Sequence, residues 1–106
     1  MRTYGLHDRA VTDLLGLAEY VGRYSGGAGD ALVNDLFDCF DRLSAFPHMG
    51  RERPEFALAL RSFELNRRRV TVFYYAQPDD HDRVLIARVL RQEQDVGASD
   101  FRESGD

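Results

Sequence analysis

The residues best suited to chemistry are the arginines around the end of an apolar run near the C-terminus. Arg88 lies within the run RVLIARVL at 83–90, and the polar stretch RQEQD at 91–95 follows directly. A guanidinium group binds carboxylates and phosphates well, but it stays protonated and makes a poor general base. The sequence contains no His, Tyr or Lys after residue 81. This stretch therefore favours binding over proton transfer.

Two carboxylates, Glu93 and Asp95, are the remaining bases that the polar stretch offers. Either of them would repel the phosphate of a nucleic-acid substrate that it had to approach. The segment 92–106 carries five acidic residues and one arginine, which opposes docking onto RNA. We therefore assign no catalytic residue to this loop and interpret it as, at most, a contact surface.

Histidine and cysteine do not indicate a metal or redox site. His7, His48 and His81 fall in three separate junctions without the spacing of metal ligands. The sequence DDHD at 79–82 is typical of a hydrated hairpin turn. The single cysteine, Cys39, excludes an internal disulfide, and its apolar helical pattern favours a core thiol. No metal and no cofactor are implied.

The charge of the chain is unevenly distributed. The 106 residues are 43% hydrophobic, which is typical of a folded domain, and their net charge is −4. All 14 basic residues are arginine, and residues 51–91 carry nine of them against six acids. The segments 1–50 and 92–106 are net acidic. Such a chain can present a local anion-binding face, and stable direct binding of nucleic acid is not expected.

The length predicts one domain. We expect this domain to span residues 1–95, followed by a mobile, polar and acidic tail at 96–106. No apolar run is long enough to cross a bilayer or to serve as the core of a signal peptide. A cytoplasmic protein without membrane contact is therefore the expectation.

The first half of the sequence predicts a short strand and two helices. RTYGL at 2–6 is typical of an edge strand, and apolar residues at helical spacing follow from about 8 to 24. SGGAG at 25–29 interrupts this pattern, and a second amphipathic helix continues until FPHMG at 46–50. Because the glycine-rich linker is short, the two helices are expected to form an antiparallel hairpin.

The second half has the alternation of β-strands. Strands are predicted at 58–65, 70–76 and 83–90, and the short polar joins between them imply an antiparallel meander. One core can form only if the helices stack on the sheet. The predicted fold class is therefore α+β, a helical hairpin packed on a small antiparallel sheet in the order β-α-α-β-β-β. Phe101 could anchor part of the tail to it.

Five stretches in this order resemble the RelE/ParE superfamily of bacterial toxins, and the ParE branch most closely. They are LAEYV in the first helix, FDRLSAFPHMGR at the hairpin exit, and LRSFEL, VFYY and IARVL in successive strands. The resemblance covers about residues 4–95 and implies the same fold. It also implies the toxin of a type II toxin-antitoxin system, neutralised by a ParD-like antitoxin whose C-terminal segment wraps the toxin. The target is DNA gyrase in the ParE branch and mRNA in the ribosomal A site in the RelE branch.

These two activities need different groups. RelE-like nucleases use basic residues on the sheet and a Tyr or His near the end of the chain, where this sequence has RQEQD. A gyrase poison needs only a shaped surface with placed arginines. We therefore predict a ParE-like toxin that inhibits DNA gyrase by binding and is not an enzyme. The alternatives are a RelE-like endoribonuclease and a degenerate member that only binds an antitoxin.

Six residues are candidates for contact with the target: Arg51, Arg53, Arg61, Tyr74, Arg88 and Arg91. Arg51 follows Gly50 as at the Gly-Arg position of the family, and Arg61 and Arg88 match recurring family arginines. Structural roles remain open: Arg51 could bond helix carbonyls, whereas Arg61 and Arg88 could pair with helix acids. If Arg61 and Arg88 face the same side as the loop of Arg51, the three form one cluster.

Two further features of the strands bear on this surface. Arg67, Arg68 and Arg69 follow one strand directly and are predicted to form a solvated turn. Tyr74 corresponds to a tyrosine common in the family, and Tyr75 follows it. Because adjacent strand residues face opposite sides of a sheet, one of these two rings is expected in the core and the other exposed.

The helices supply candidates for contact with the antitoxin, namely Leu17, Tyr20, Tyr24, Phe37 and Asp38. The apolar ones could lie off the main stripes, on the outer groove of the hairpin, into which an amphipathic helix can dock. The acidic face of the second helix, with Asp35, Asp38 and Asp41, favours a partner with basic residues there.

Overall fold

The helices and strands follow the order that the sequence predicts. The computed structural model describes residues 4–77 and 83–102. The elements are β1 (Tyr4–Leu6), α1 (Asp8–Gly22), α2 (Ala28–Ala45), β2 (Arg51–Glu52), β3 (Leu60–Leu65), β4 (Val70–Ala76) and β5 (Val84–Arg91). The α+β class and the element order are confirmed, with the two-residue strand β2 added. The turn predicted at 79–82, with His81, lies outside the described residues.

The two helices form the predicted hairpin, and Gly29 lets them approach closely. α1 begins after His7, whose Nδ1 accepts a hydrogen bond from the backbone N–H of Arg9 at 3.1 Å. α2 begins after Gly27, whose φ of 83° suits glycine. A side chain at Gly29 would place its Cβ 2.5 Å from the carbonyl oxygen of Ala18, so only glycine fits where the helices meet.

The sheet is mixed and has the strand order β1-β5-β4-β3-β2. The strands β2 to β5 pair antiparallel, as the short joins predict, but β1 pairs in parallel with β5 through Tyr4 and Val84. A parallel pair needs a long crossover connection. The chain from the helical hairpin through β4 provides that connection, so β1 can lie parallel to β5.

The hairpin covers one face of the sheet, which we call the hairpin face. Its buried apolar residues on the two central strands are Val70, Val72, Tyr74, Val84, Ile86 and Val89. They pack against Leu14 and Leu17 of α1 and Leu36 and Phe40 of α2. Among the described residues, no helix has the length and apolar content needed to cross a membrane.

The opposite face of the sheet, which we call the back face, is also covered. Leu60, Phe73 and Leu90 are buried there beneath Phe56 and Phe101. The ring of Phe101 lies 4.9 Å from that of Phe73 and stacks on Phe56 at 5.7 Å. The short 3₁₀ turn Ala98–Phe101 thus folds back onto the sheet, and Phe101 holds this part of the tail in place.

A bulge in β5 changes which of its residues face the core. Phe73 pairs with Arg88 and Tyr74 pairs with Ile86, so Ala87 is an extra residue between them. As a result, Ile86 and Val89, three positions apart, both enter the core on the hairpin face. The alternation read from the sequence does not include this shift.

Cys39 provides a test of the packing in α2. Its side chain is 2% exposed, and burial raises the pKa of its thiol from 9.0 to about 11. At pH 8 we expect a thiol reagent to modify the native protein at least about 100-fold more slowly than the urea-unfolded chain. Since the unfolded thiol ionises first, the contribution of Cys39 to stability is complete below pH 9 and is lost between pH 9 and 11. Equal rates in the two states would contradict this packing.

Candidate target- and partner-binding surfaces

Tyr74 holds the exit of the helical hairpin against the sheet. Its ring is fully buried, and its hydroxyl donates to the carbonyl of Pro47 and accepts from the N–H of Gly50, both at 2.8 Å. Burial raises the pKa of this phenol, so it stays protonated. A Cβ at Gly50 would lie 2.6 Å from the same hydroxyl, which explains the glycine. Of the two adjacent tyrosines, Tyr74 is therefore the core residue, and Tyr75 is partly buried on the back face.

Arg61 fixes the same loop from the neighbouring strand. It pairs with Tyr74 across β3 and β4, and its Nη1 donates to the carbonyls of Gly50 at 2.7 Å and His48 at 3.4 Å. The sequence left open a bond to a helix acid or to a target, and the structure shows bonds to loop carbonyls. The loop is thus anchored on both sides, and it presents Arg51 at an exposed position of β2.

Arg53 belongs to the back face. Its Nε donates to the carboxylate of Glu55 at 2.8 Å and its Nη1 to the hydroxyl of Ser62 at 3.1 Å. Its guanidinium lies 4.8 Å from the centre of the Phe56 ring. The hydrogen bond from Arg53 is the main cause of a lowered pKa of Glu55. With 16% of the side chain exposed, Arg53 is held in place and keeps only a small accessible surface.

Arg88 is the most constrained of the predicted arginines. Its Nε and Nη2 donate to the two carboxylate oxygens of Asp13 in α1 at 2.8 and 3.0 Å. Its Nη1 donates to the carbonyl of Asp100 at 3.0 Å. The hydrogen bonds to Asp13 are the main cause of a raised pKa of Arg88, which is 14% exposed. Of the two roles that the sequence left open, the structure shows the pairing with a helix acid.

The predicted arginines do not form one cluster. The row Arg88, Phe73, Ser62 and Arg51 runs across the sheet, so two whole strands, β3 and β4, separate Arg51 from Arg88. Arg61 lies on the hairpin face beside Tyr74. The condition that Arg51, Arg61 and Arg88 share one side is therefore not met.

Arg91 lies at the mouth of a groove between α1 and the ends of β4 and β5. Its guanidinium is 5.0 Å from the centre of the Tyr20 ring and 3.5 Å from the carboxylate of Glu93. The groove has a volume of ≈ 490 Å³. Its lining is formed by the apolar or aromatic residues Leu17, Tyr20, Val21, Leu32 and Val70 and by the charged residues Arg67, Arg68, Arg69, Arg91 and Glu93. We call this feature the arginine groove.

The turn that is predicted to be solvated is largely exposed and also contacts the second helix. Arg68, 32% exposed, donates from Nε to Asp35 at 2.6 Å, and Arg67 lies 3.7 Å from the same carboxylate. The prediction fits Arg67, whose side chain is 66% exposed, and Arg69, which is exposed and has a φ of 56°. Asp35 of α2 thus contacts two arginines of the turn between β3 and β4.

The predicted antitoxin residues fall into two groups. Leu17 and Tyr20 line the arginine groove, and Tyr24, 75% exposed, packs edge to face on Tyr20 at 5.7 Å. Phe37 instead packs on the core beside Phe40, at 6.0 Å. Asp38 is exposed on α2. The structure therefore brings the first three together and leaves the last two elsewhere on the hairpin.

Asp13 is not among the residues that the sequence singles out, and Asp35 and Gly50 are named there without the structural roles described above. The signal for the two acids is that both lie in predicted amphipathic helices. Their arginine partners, however, are 75 and 33 positions away. Over the described part of the chain, no group of His, Cys, Asp or Glu residues is suited to hold a metal ion.

The fold and these surfaces define a small α+β domain whose arginines contact carbonyls, carboxylates and aromatic rings. Residues 4–96 match a family described as "ParE toxin of type II toxin-antitoxin system, parDE". The match covers most of the chain, and the protein belongs to this family of toxins.

The fold is shared with a solved structure. Its chain is part of the "Chromosomal ParDE TA system from P. aeruginosa", with a TM-score of 0.71 and 19% sequence identity. The alignment covers 88% of this chain and 98% of that chain. Comparison with curated proteins gives no match.

The Asp13–Arg88 pair can be tested by stability. We expect Asp13→Ala to lower the free energy of unfolding by about 2–4 kcal/mol, because it removes both short hydrogen bonds from a largely buried guanidinium and leaves only the carboxylate of Asp100 at 3.6 Å. The matched control in the same helix is Glu19→Ala, which removes an exposed pair with Arg23 at 3.8 Å and should cost less than about 0.5 kcal/mol. Urea denaturation measures both. Similar losses for the two variants would contradict the role assigned to Asp13.

Proposed function

We propose that this toxin inhibits DNA gyrase by binding, without bond chemistry of its own, and that a ParD-like antitoxin neutralises it. Membership of the ParE family supports the first statement, and the resemblance in fold to a ParDE system supports the second. The toxin then acts in the cytoplasm, where gyrase works.

The observation that carries the proposal is the structure at the end of β5. Arg91, the first residue of the polar loop, has its guanidinium on the ring of Tyr20 and beside Glu93. Its backbone N–H donates to the side-chain oxygen Oε1 of Gln94 at 3.0 Å. These contacts within the chain hold the guanidinium in place, whereas an RNA-cleaving mechanism would need a base and an acid in this loop.

The target surface that we propose is the loop held by Tyr74 and Arg61. It carries exposed Phe46 and Met49 next to exposed Arg51. Aromatic residues and arginines dominate the energetics of protein interfaces, and a loop fixed in advance loses little entropy on binding. Tyr74 and Arg61 position this surface and do not touch the target themselves, and Arg88 is bonded to Asp13 and Asp100 instead.

The direct test is a supercoiling assay with purified gyrase and toxin freed of antitoxin. If gyrase is poisoned, supercoiling fails, and linear DNA linked to protein accumulates after a denaturing step. Arg51→Ala should raise the toxin concentration for half-inhibition by about tenfold, since it removes an interface arginine. Arg83→Ala, at an exposed position before β5, is the control and should change little.

Two outcomes would contradict the proposal. If the toxin stops growth but leaves gyrase untouched, the ribosome becomes the first target to examine. If it neither stops growth nor inhibits gyrase, the chain is a member that only binds its antitoxin.

Arg91 separates binding from bond chemistry. We expect Arg91→Ala to keep gyrase inhibition within about threefold of the parent protein, because Arg91 lies on the groove and not on the proposed target loop. Growth arrest and the supercoiling assay measure this. Complete loss of activity while binding to the target persists would assign Arg91 a role in chemistry.

A further inference from the structure

A small cavity on the back face lies between the sheet, the start of α1 and the 3₁₀ turn Ala98–Phe101. Its volume is ≈ 70 Å³. The apolar or aromatic part of its lining is Tyr75, Leu85, Ala87 and Phe101, and the charged or polar part is His7, Arg9, Arg88, Asp100 and Arg102. We call it the back-face cavity. It shares no residue with the arginine groove or with the proposed target loop.

The lining of the back-face cavity carries more positive than negative charge. Three of its residues are arginines, and one, Asp100, is an acid. Arg88 takes up the carboxylates nearby, because it bonds Asp13 twice and lies 3.6 Å from Asp100. Arg9 and Arg102 form no ion pair with any residue that the structure describes. These two guanidinium groups therefore have the capacity to bind an anion.

Arg9 is held beside the cavity although it has no acidic partner in the described part of the chain. Its Nη1 donates to the backbone carbonyl of Arg102 at 2.8 Å, and a guanidinium has five N–H donors in all. Arg9 is also partly buried. A partly buried cation is less screened by water and salt than an exposed one, so it gains more from a counter-ion.

His7 supplies a further hydrogen-bond donor to the lining. Its Nδ1 accepts from the backbone N–H of Arg9 at 3.1 Å, so the proton of the neutral imidazole lies on Nε2. The donors around the cavity thus come from three points of the chain: the residue before α1, the first turn of α1, and the residue after the 3₁₀ turn.

The size of the cavity and the arrangement of its donors favour a small tetrahedral oxyanion. A water molecule occupies about 30 Å³ in the liquid, so a volume of ≈ 70 Å³ admits a group of a few heavy atoms and is too small for a nucleotide. A carboxylate has two oxygens in one plane and matches a single guanidinium. The four oxygens of a phosphate point in different directions and suit donors from three sides.

We propose that the back-face cavity binds phosphate, or the phosphate group of a small ester, through Arg9, Arg102 and His7. The bound anion joins the start of α1 to the residue that follows the 3₁₀ turn, so it holds Phe101 against Phe73. Phosphate then regulates how firmly the turn covers the back face. Neither gyrase nor an antitoxin takes part, so this inference succeeds or fails independently of the proposed function.

Thermal unfolding of the purified toxin tests the binding. Phosphate at about 20 mM should raise the melting temperature by at least about 3 °C over chloride of equal ionic strength, because a ligand of the native state shifts the unfolding equilibrium. Glycerol phosphate tests the ester. A shift with either compound supports the proposal, and the larger shift tells the free ion from the ester. Equal melting temperatures in phosphate, glycerol phosphate and chloride, or an equal shift with acetate, would overturn it.

Neutral variants locate the site. Arg9→Gln removes the charge but retains a side chain that can donate to the carbonyl of Arg102, and it should lower the affinity for phosphate at least about tenfold in calorimetric titration. Arg9→Lys should recover part of that loss. The matched control in the same helix is Arg23→Gln, which lies outside the cavity at a position that is 68% exposed, and its loss should be less than about twofold. Melting temperatures in chloride verify that the variants are folded. Equal losses for Arg9→Gln and Arg23→Gln would exclude the back-face cavity as the site.

Hydrogen exchange tests the link to the 3₁₀ turn. The N–H of Asp100 donates to the carbonyl of Gly97 at 3.0 Å within this turn. Saturating phosphate should slow its exchange at least about fivefold in the parent protein and leave it unchanged in Arg9→Gln. Phosphate binding without slower exchange of Asp100 would overturn the proposed effect on the turn.

Discussion

The ion pair between Asp13 and Arg88 is the interaction on which the arrangement of this domain depends. β1 is short and pairs only with Val84 to Ile86, so the edge of β5 beyond that point has no neighbouring strand among the residues that the structure describes. There Asp13 accepts a hydrogen bond from the backbone N–H of Val89 at 3.0 Å while it holds Arg88 with both oxygens. One side chain of α1 thus satisfies the sheet edge and fixes the helix against it. Through the bond from Arg88 to the carbonyl of Asp100, the same ion pair secures the turn that covers the back face.

The helices and the three long strands could be predicted because their signals are local. The apolar residues repeat with a period near 3.6 in each helix and near 2 in each strand. The short glycine-rich linker indicates that the two helices form a hairpin. The position of β1 in the sheet could not be predicted in this way, because its partner strand, β5, is far along the chain. The bulge at Ala87 could not be predicted either, since a single extra residue can be recognised only when the register with β4 is known.

The candidate surfaces were predicted less well than the fold, for a related reason. The sequence identifies which residues are arginines, but their roles depend on which acid or carbonyl the fold brings near. Arg61 and Arg88 both lie in predicted strands, yet Arg61 bonds the carbonyls of Gly50 and His48 whereas Arg88 is paired with Asp13. The run Arg67 to Arg69 resembles a solvated turn until α2 places Asp35 beside it. The burial of one of the two adjacent tyrosines, Tyr74 and Tyr75, could be predicted because adjacent strand residues face opposite sides of the sheet.

The position of β5 has a consequence for the order of events during synthesis. This strand pairs with both β1 and β4, so the sheet cannot close until the last part of the domain has left the ribosome. Tyr4 must wait for Val84, and contacts so distant in sequence form slowly. The hairpin of α1 and α2 depends on local contacts and can form earlier, with its apolar stripes uncovered. During that interval the nascent chain already presents Leu17, Tyr20 and Leu32, whereas the anchored loop with Arg51 does not yet exist. A partner that binds the hairpin can therefore meet the toxin before the surface proposed for the target is complete.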